Sequence, residues 1–82
     1  MLTVYAKPTG CVQCDSVKRW LLKKGLVEGE DYRIIDVTAE GADLAPLEAA
    51  NYKQVPVIFL SPEDHFYGFD ITRLGTWYAT RS

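Results

Sequence analysis

The chain holds two cysteines, Cys11 and Cys14, in the run Cys11-Val12-Gln13-Cys14. Two thiols at that spacing can close a disulfide, hold a metal, or exchange electrons with another disulfide. A purely structural staple is the weakest of these, because closing so short a loop removes little entropy from the unfolded chain. A secreted disulfide scaffold of this size would usually carry four or more cysteines. Zinc takes four ligands in a structural site and three plus water in a catalytic one. Here the only further nitrogen ligand is one distant histidine, His65. A metal site of both cysteines and His65, or one shared between two chains, stays open beside redox chemistry. Nothing pairs with His65 in sequence, and it reads first as a solvent-facing hairpin residue.

The choice depends on what positions the thiols. Leu2 to Ala6 alternates and is rich in β-formers, which predicts a strand. Lys7-Pro8-Thr9-Gly10 is a loop by its proline and glycine. Val12 to Lys24 predicts a helix, with Cys14, Val17 and Leu21 on one face, Trp20 extending it, and Gly25 as its stop. Tyr32 to Val37 is a β-branched run. Asp43 is placed to cap a second helix reaching about Ala50, with Pro46 in its first turn. Val55 to Leu60 predicts a third strand. Ser61-Pro62-Glu63-Asp64 has the form of a type I turn leading to a short strand at His65 to Tyr67. Gly68-Phe69 bends the chain, and Asp70 caps a last helix from about Ile71 to Ala79. The order β-α-β-α-β-β-α implies an α/β fold: one four-stranded mixed sheet, with a right-handed parallel first unit and three helices on its faces.

Composition bounds the rest. At 82 residues the chain is expected to be one domain, 1–82, and at 48% hydrophobic it is not disordered. Nine basic against eleven acidic side chains leave a charge of −2, which argues against a nucleic-acid binder. No apolar run approaches the ~20 residues of a membrane helix. The N-terminus reads directly as a strand rather than a cleavable leader, so the expected location is the cytoplasm.

A strand, then Cys-x-x-Cys at a helix start, then Val55-Pro56 opening a later strand, resembles the thioredoxin superfamily in its minimal, glutaredoxin-sized form. The tetrad Cys11-Val12-Gln13-Cys14 is similar to that of NrdH-type redoxins. So are Lys18-Arg19, Asp36-Val37-Thr38, the run Tyr52-x-Gln54-Val55-Pro56-Val57, and Gly68-Phe69. The resemblance spans essentially the whole chain. It departs from the family in a loop one residue longer before Cys11, in a longer connection between Gly25 and Tyr32, and in the stretch Phe66 to Ile71. It implies a cytoplasmic, monomeric dithiol–disulfide oxidoreductase without a bound cofactor other than its own redox-active Cys11–Cys14 pair. Thioredoxin reductase would reduce it, and class Ib ribonucleotide reductase or another disulfide substrate would accept its electrons. The rivals are a glutathione-dependent glutaredoxin, a non-catalytic zinc-binding module, and an adaptor of the same fold.

Under that resemblance the residues take roles. A thiolate attacks a disulfide, whereas a thiol hardly does. Cys11 at a helix start is expected to be the nucleophile, its pKa depressed below roughly 8.5 by free amides and the helix dipole. Lys7 and Lys18 add positive potential and Asp15 opposes it. Cys14, on the same helical face, is the resolving thiol. Val12 and Gln13 tune the site. The resemblance implies a cis Val55–Pro56 bond facing the cysteines, with the Val55 backbone free to pair with an extended substrate. At Gly68 and Phe69, glutathione-dependent relatives usually carry Gly-Gly followed by an acid. Phe69 adds bulk there, and Asp70 reads first as a helix cap.

Overall fold

Alternation along the first strand, β1 (Leu2–Ala6), sends Leu2, Val4 and Ala6 to one side of the sheet and Tyr5 to the other. Both sides are buried, so β1 is central, and the computed structural model, which describes residues 1–81, places it there. β1 pairs in parallel with β2 (Tyr32–Asp36) and antiparallel with β3 (Val57–Phe59), which pairs antiparallel with β4 (His65–Tyr67). The spatial order is β2-β1-β3-β4. Three helices complete it: α1 (Val12–Lys23), α2 (Ala45–Ala49) and α3 (Ile71–Thr80). The four-stranded mixed sheet and the element order agree with the sequence expectation.

Each face of the sheet has its own core. On one, Val4, Ile58 and Phe66 pack with Cys14, Val17, Trp20 and Leu21 of α1 and Leu74 of α3. On the other, Tyr5 and Val57 pack with Leu47 of α2, joined by half-buried Ile35, Val37, Leu44, Tyr52 and Phe59. Helices therefore cover both faces.

Several boundaries differ from the sequence reading. α1 stops at Lys23: Gly25 takes φ +73°, and the amides of Gly25 and Leu26 return to the carbonyls of Leu22 and Leu21. That 5→2 and 6→1 pattern is a Schellman stop, which glycine accommodates without a Cβ penalty. α2 is shorter than expected, and its N-cap is Leu44 rather than Asp43. The Asp43 carboxylate still accepts from the Ala45 amide at 3.1 Å, one position early. β3 begins at Val57, not Val55. Pro56 has no N–H to give the ladder, although its carbonyl takes the Gly68 amide at 2.8 Å. β2 ends at Asp36, while the Val37 amide still donates to Ala6. α3 runs one residue further, to Thr80. The Ser61–Asp64 turn forms as expected, with the Asp64 amide donating to the Ser61 carbonyl.

Candidate redox site

The glycine at position 10 adopts φ +73° and turns the chain from β1 into α1, so that Cys11 becomes the helix N-cap. Its sulfur accepts from the Cys14 amide at 3.2 Å, taking one of the donors that a helix start leaves unpaired. Cys11 and Cys14 are joined as a disulfide with Cα atoms 5.2 Å apart. Their exposures differ. Cys11 is half-buried at the mouth of the site, whereas Cys14 is fully enclosed against the core under α1. Any incoming group thus meets Cys11 first.

The Val55–Pro56 bond is cis, and the Val55 carbonyl oxygen lies 3.8 Å from the Cys11 sulfur. In the disulfide form that sulfur has no proton to donate, so this is a contact rather than a hydrogen bond. Pro56 is buried and tied through its carbonyl to Gly68, which is also buried and adopts φ +92°. Beyond it, the Phe69 amide donates to Oε1 of Gln13 at 3.0 Å. Phe69 itself is half-buried against the α1–α3 core. The cysteine motif, the Val55–Pro56 segment and the β4–α3 turn are therefore linked by backbone and side-chain bonds.

On the other side of Cys11 lies a cleft of about 630 Å³. It is lined by Lys7, Gly10, Cys11, Val12, Gln13 and Val55 together with Val37, Leu44, Leu47, Glu48, Tyr52, Lys53 and Gln54. Val12 is largely exposed at its rim, 79% accessible, so it has no core role. Of the residues singled out in sequence, Lys7, Cys11, Val12, Gln13 and Val55 meet in this cleft. Cys14, Pro56, Gly68 and Phe69 do not line it. Lys18 does not join them. It sits near Asp36, whose carboxyl is held low first by the Thr38 hydroxyl and amide and then by the Lys18 charge.

The sequence reading gave no site role to Val37, Leu44, Leu47, Glu48, Tyr52 or Lys53. They lie on the β2–α2 side of the fold, and no spacing rule brings them to Cys11. His65 is corrected as well. It is half-buried, its ring 4.7 Å from that of Phe59, and its Nδ1 pairs with the Tyr52 hydroxyl at 2.7 Å. Strand alternation puts His65 on the α2 face, where Tyr52 packs. The signal in the sequence was the register of β4: Phe66 is a core residue, so its neighbour must face the opposite side. Among the described residues no three His, Cys, Asp or Glu side chains are grouped as metal ligands.

The likeness to known proteins fits this arrangement. Two solved structures share the fold. One is a mutant of the thioredoxin-like protein BC3987, at TM-score 0.74 and 23% identity, covering 98% of this chain and 96% of that one. The other is the glutaredoxin-like NrdH-redoxin from Escherichia coli, at TM-score 0.63 and 24% identity, covering 99% and 95%. No curated protein sequence matches significantly. The glutaredoxin family model matches residues 2–65, a stretch that carries both cysteines, the Val55–Pro56 segment and the sheet up to the start of β4. With a cysteine pair at the head of α1 and that match over most of its length, the chain belongs to the glutaredoxin family and is a thiol–disulfide redox protein.

Proposed function

We propose that this protein is a dithiol electron carrier of the NrdH-redoxin kind, reduced by thioredoxin reductase and oxidised by ribonucleotide reductase or another protein disulfide. The observation that carries the reading is the unequal placement of the two sulfurs, Cys11 at the cleft and Cys14 enclosed behind it. In the reduced protein the Cys11 thiolate attacks a substrate disulfide. One substrate sulfur leaves as a thiolate and takes up a proton, and a mixed disulfide remains. Cys14, deprotonated, then attacks the Cys11 sulfur, expels the second substrate thiolate and closes the Cys11–Cys14 bond. Two electrons pass to the substrate, and the protein disulfide is reopened by the reductase. The Cys14 amide that bonds the Cys11 sulfur, with the helix dipole, favours the thiolate and lowers its pKa. The Val55 carbonyl beside that sulfur is free to accept an amide of an extended substrate segment.

The choice of reductant is supported by Phe69, a bulky residue where glutathione-dependent relatives usually carry a second glycine. It is supported too by the solved relative from Escherichia coli, a glutaredoxin-like protein with a thioredoxin-like activity profile. On this reading the chain acts as a cytoplasmic, monomeric single domain, with its disulfide as its one redox group. A coupled assay tests it: NADPH oxidation is followed with thioredoxin reductase and, in parallel, with glutathione plus glutathione reductase. Faster turnover with thioredoxin reductase is expected. Turnover with glutathione alone reverses the assignment to a glutathione-dependent glutaredoxin.

A further inference from the structure

Gln13 stands between the two cysteines, yet its side chain serves neither of them. It reaches across to the β4–α3 turn, where Oε1 takes the Phe69 amide proton at 3.0 Å. The neighbouring amide, that of Gly68, is already committed to the Pro56 carbonyl. Gln13 thus occupies an exposed backbone donor beside the disulfide. The fit is close. A Cβ on Gly68 would stand 2.9 Å from the same Oε1, so the glycine leaves just enough room for the carboxamide.

We infer that Gln13 is a specificity-determining residue that closes the Phe69 amide to small anionic thiols. This deepens, and rests on, the reading that a protein reductase rather than glutathione recycles the disulfide. Glutathione carries two carboxylates on a short peptide. To reduce the protein, one glutathione thiolate attacks the Cys11 sulfur and Cys14 leaves as a thiolate, which takes a proton. A second glutathione thiolate attacks the glutathione sulfur of the mixed disulfide and releases Cys11. Two glutathiones become one glutathione disulfide, and the protein gains two electrons and two protons. Both steps need the small peptide held beside Cys11. An unpaired backbone N–H there would bind a carboxylate through a charge-assisted hydrogen bond. With Gln13 in place that donor is filled by a neutral, tethered oxygen at high effective concentration. A protein partner is held over a wide surface and loses little by the closure.

The test compares wild type with Gln13→Ala and Gln13→Glu, using insulin disulfides as the electron sink. Each is driven by glutathione with glutathione reductase and separately by thioredoxin reductase, and hydrogen exchange of the Phe69 amide is followed by NMR. Gln13→Ala is expected to speed exchange at Phe69. It should also raise the ratio of glutathione-driven to thioredoxin-reductase-driven rate about tenfold, the effect of one such bond. Gln13→Glu retains an acceptor and adds a like charge, so its ratio stays at or below that of wild type. An unchanged ratio in Gln13→Ala overturns the inference. So does unchanged Phe69 exchange, and so does a Gln13→Glu variant that behaves like Gln13→Ala. Wild type driven faster by glutathione than by thioredoxin reductase is a separate result, which removes the reading of the reductant itself.

Discussion

The sulfur of Cys11 accepts a hydrogen bond from the backbone amide of Cys14 at 3.2 Å, so one cysteine of the pair caps the other. The same contact that starts α1 points a donor at the atom where negative charge must develop. Reduced Cys11 is therefore expected to alkylate with a midpoint below the free-thiol value of roughly 8.5. The sign for stability follows from linkage: the contribution of a depressed thiol is fully present above its unfolded value and is lost as pH falls through the lower folded one. The rate of iodoacetamide reaction against pH measures it, and a midpoint at or above the free-thiol value refutes the account.

Under the proposed mechanism the enclosed Cys14 resolves the mixed disulfide that Cys11 forms. Cys14→Ser should accumulate a mixed disulfide between Cys11 and a protein substrate, visible as a shifted band on a non-reducing gel. Cys11→Ser should form none and lose turnover entirely. A Cys14→Ser protein that turns over without any trapped species would contradict the order of attack.

Gly68 and Gly25 both adopt positive φ, at +92° and +73°, yet they should respond differently to alanine. At Gly25 a Cβ meets nothing within 4 Å, so only backbone strain is added, costing about 1 kcal/mol. At Gly68 the Cβ also meets Oε1 of Gln13 at 2.9 Å. Gly68→Ala should therefore push the flexible Gln13 carboxamide off the Phe69 amide and cost slightly more, about 1–2 kcal/mol, and lower activity as well. Urea denaturation of both variants compares them, and equal losses would mean that the Gln13 contact is unimportant.

The Tyr52 hydroxyl and His65 Nδ1 are bonded at 2.7 Å on the α2 face, with Tyr52 lining the cleft. Tyr52→Phe keeps the ring and removes the bond, and should destabilise by about 1 kcal/mol. If Tyr52 shapes the cleft, KM for a disulfide peptide rises while kcat is held. Chemical denaturation and steady-state kinetics read the two effects separately.

Asp31 is held below the ordinary aspartate range, first by the Val27 amide and then by the Arg81 guanidinium. Its contribution is present above the unfolded aspartate value near pH 4 and is lost as pH falls through the lower folded value. Asp36, lowered chiefly by Thr38, acts with the same sign. Asp31→Asn should lower the melting temperature at pH 7 and shrink the drop in melting temperature between pH 7 and pH 3. An undiminished drop would assign the acid limb to other carboxylates.

Local patterns carried most of the fold. Alternation in Leu2–Ala6, the three- and four-residue spacing of Cys14, Val17 and Leu21, and Pro62 in its turn each depend on neighbours in the chain. Propensity and periodicity therefore reach them. Boundaries slipped where a partner outside the segment decided them. Pro56 withholds an N–H from the sheet, and the short α2 takes Leu44 rather than Asp43 as its N-cap. His65 is half-buried rather than solvent-facing because its partners Tyr52 and Phe59 come from other elements.

By itself the amino-acid order determined where the chemistry sits: two thiols three residues apart, glycine before them, and a helix that begins there. It did not determine what surrounds them. The Val55 carbonyl comes to the Cys11 sulfur from 44 residues away, and the Phe69 amide comes to Gln13 from 56. Such pairings are set by the register of β1 against β3 and of β3 against β4, and by how α1 and α3 pack on one face. They depend on cooperative burial across the sheet, which no single stretch of chain encodes.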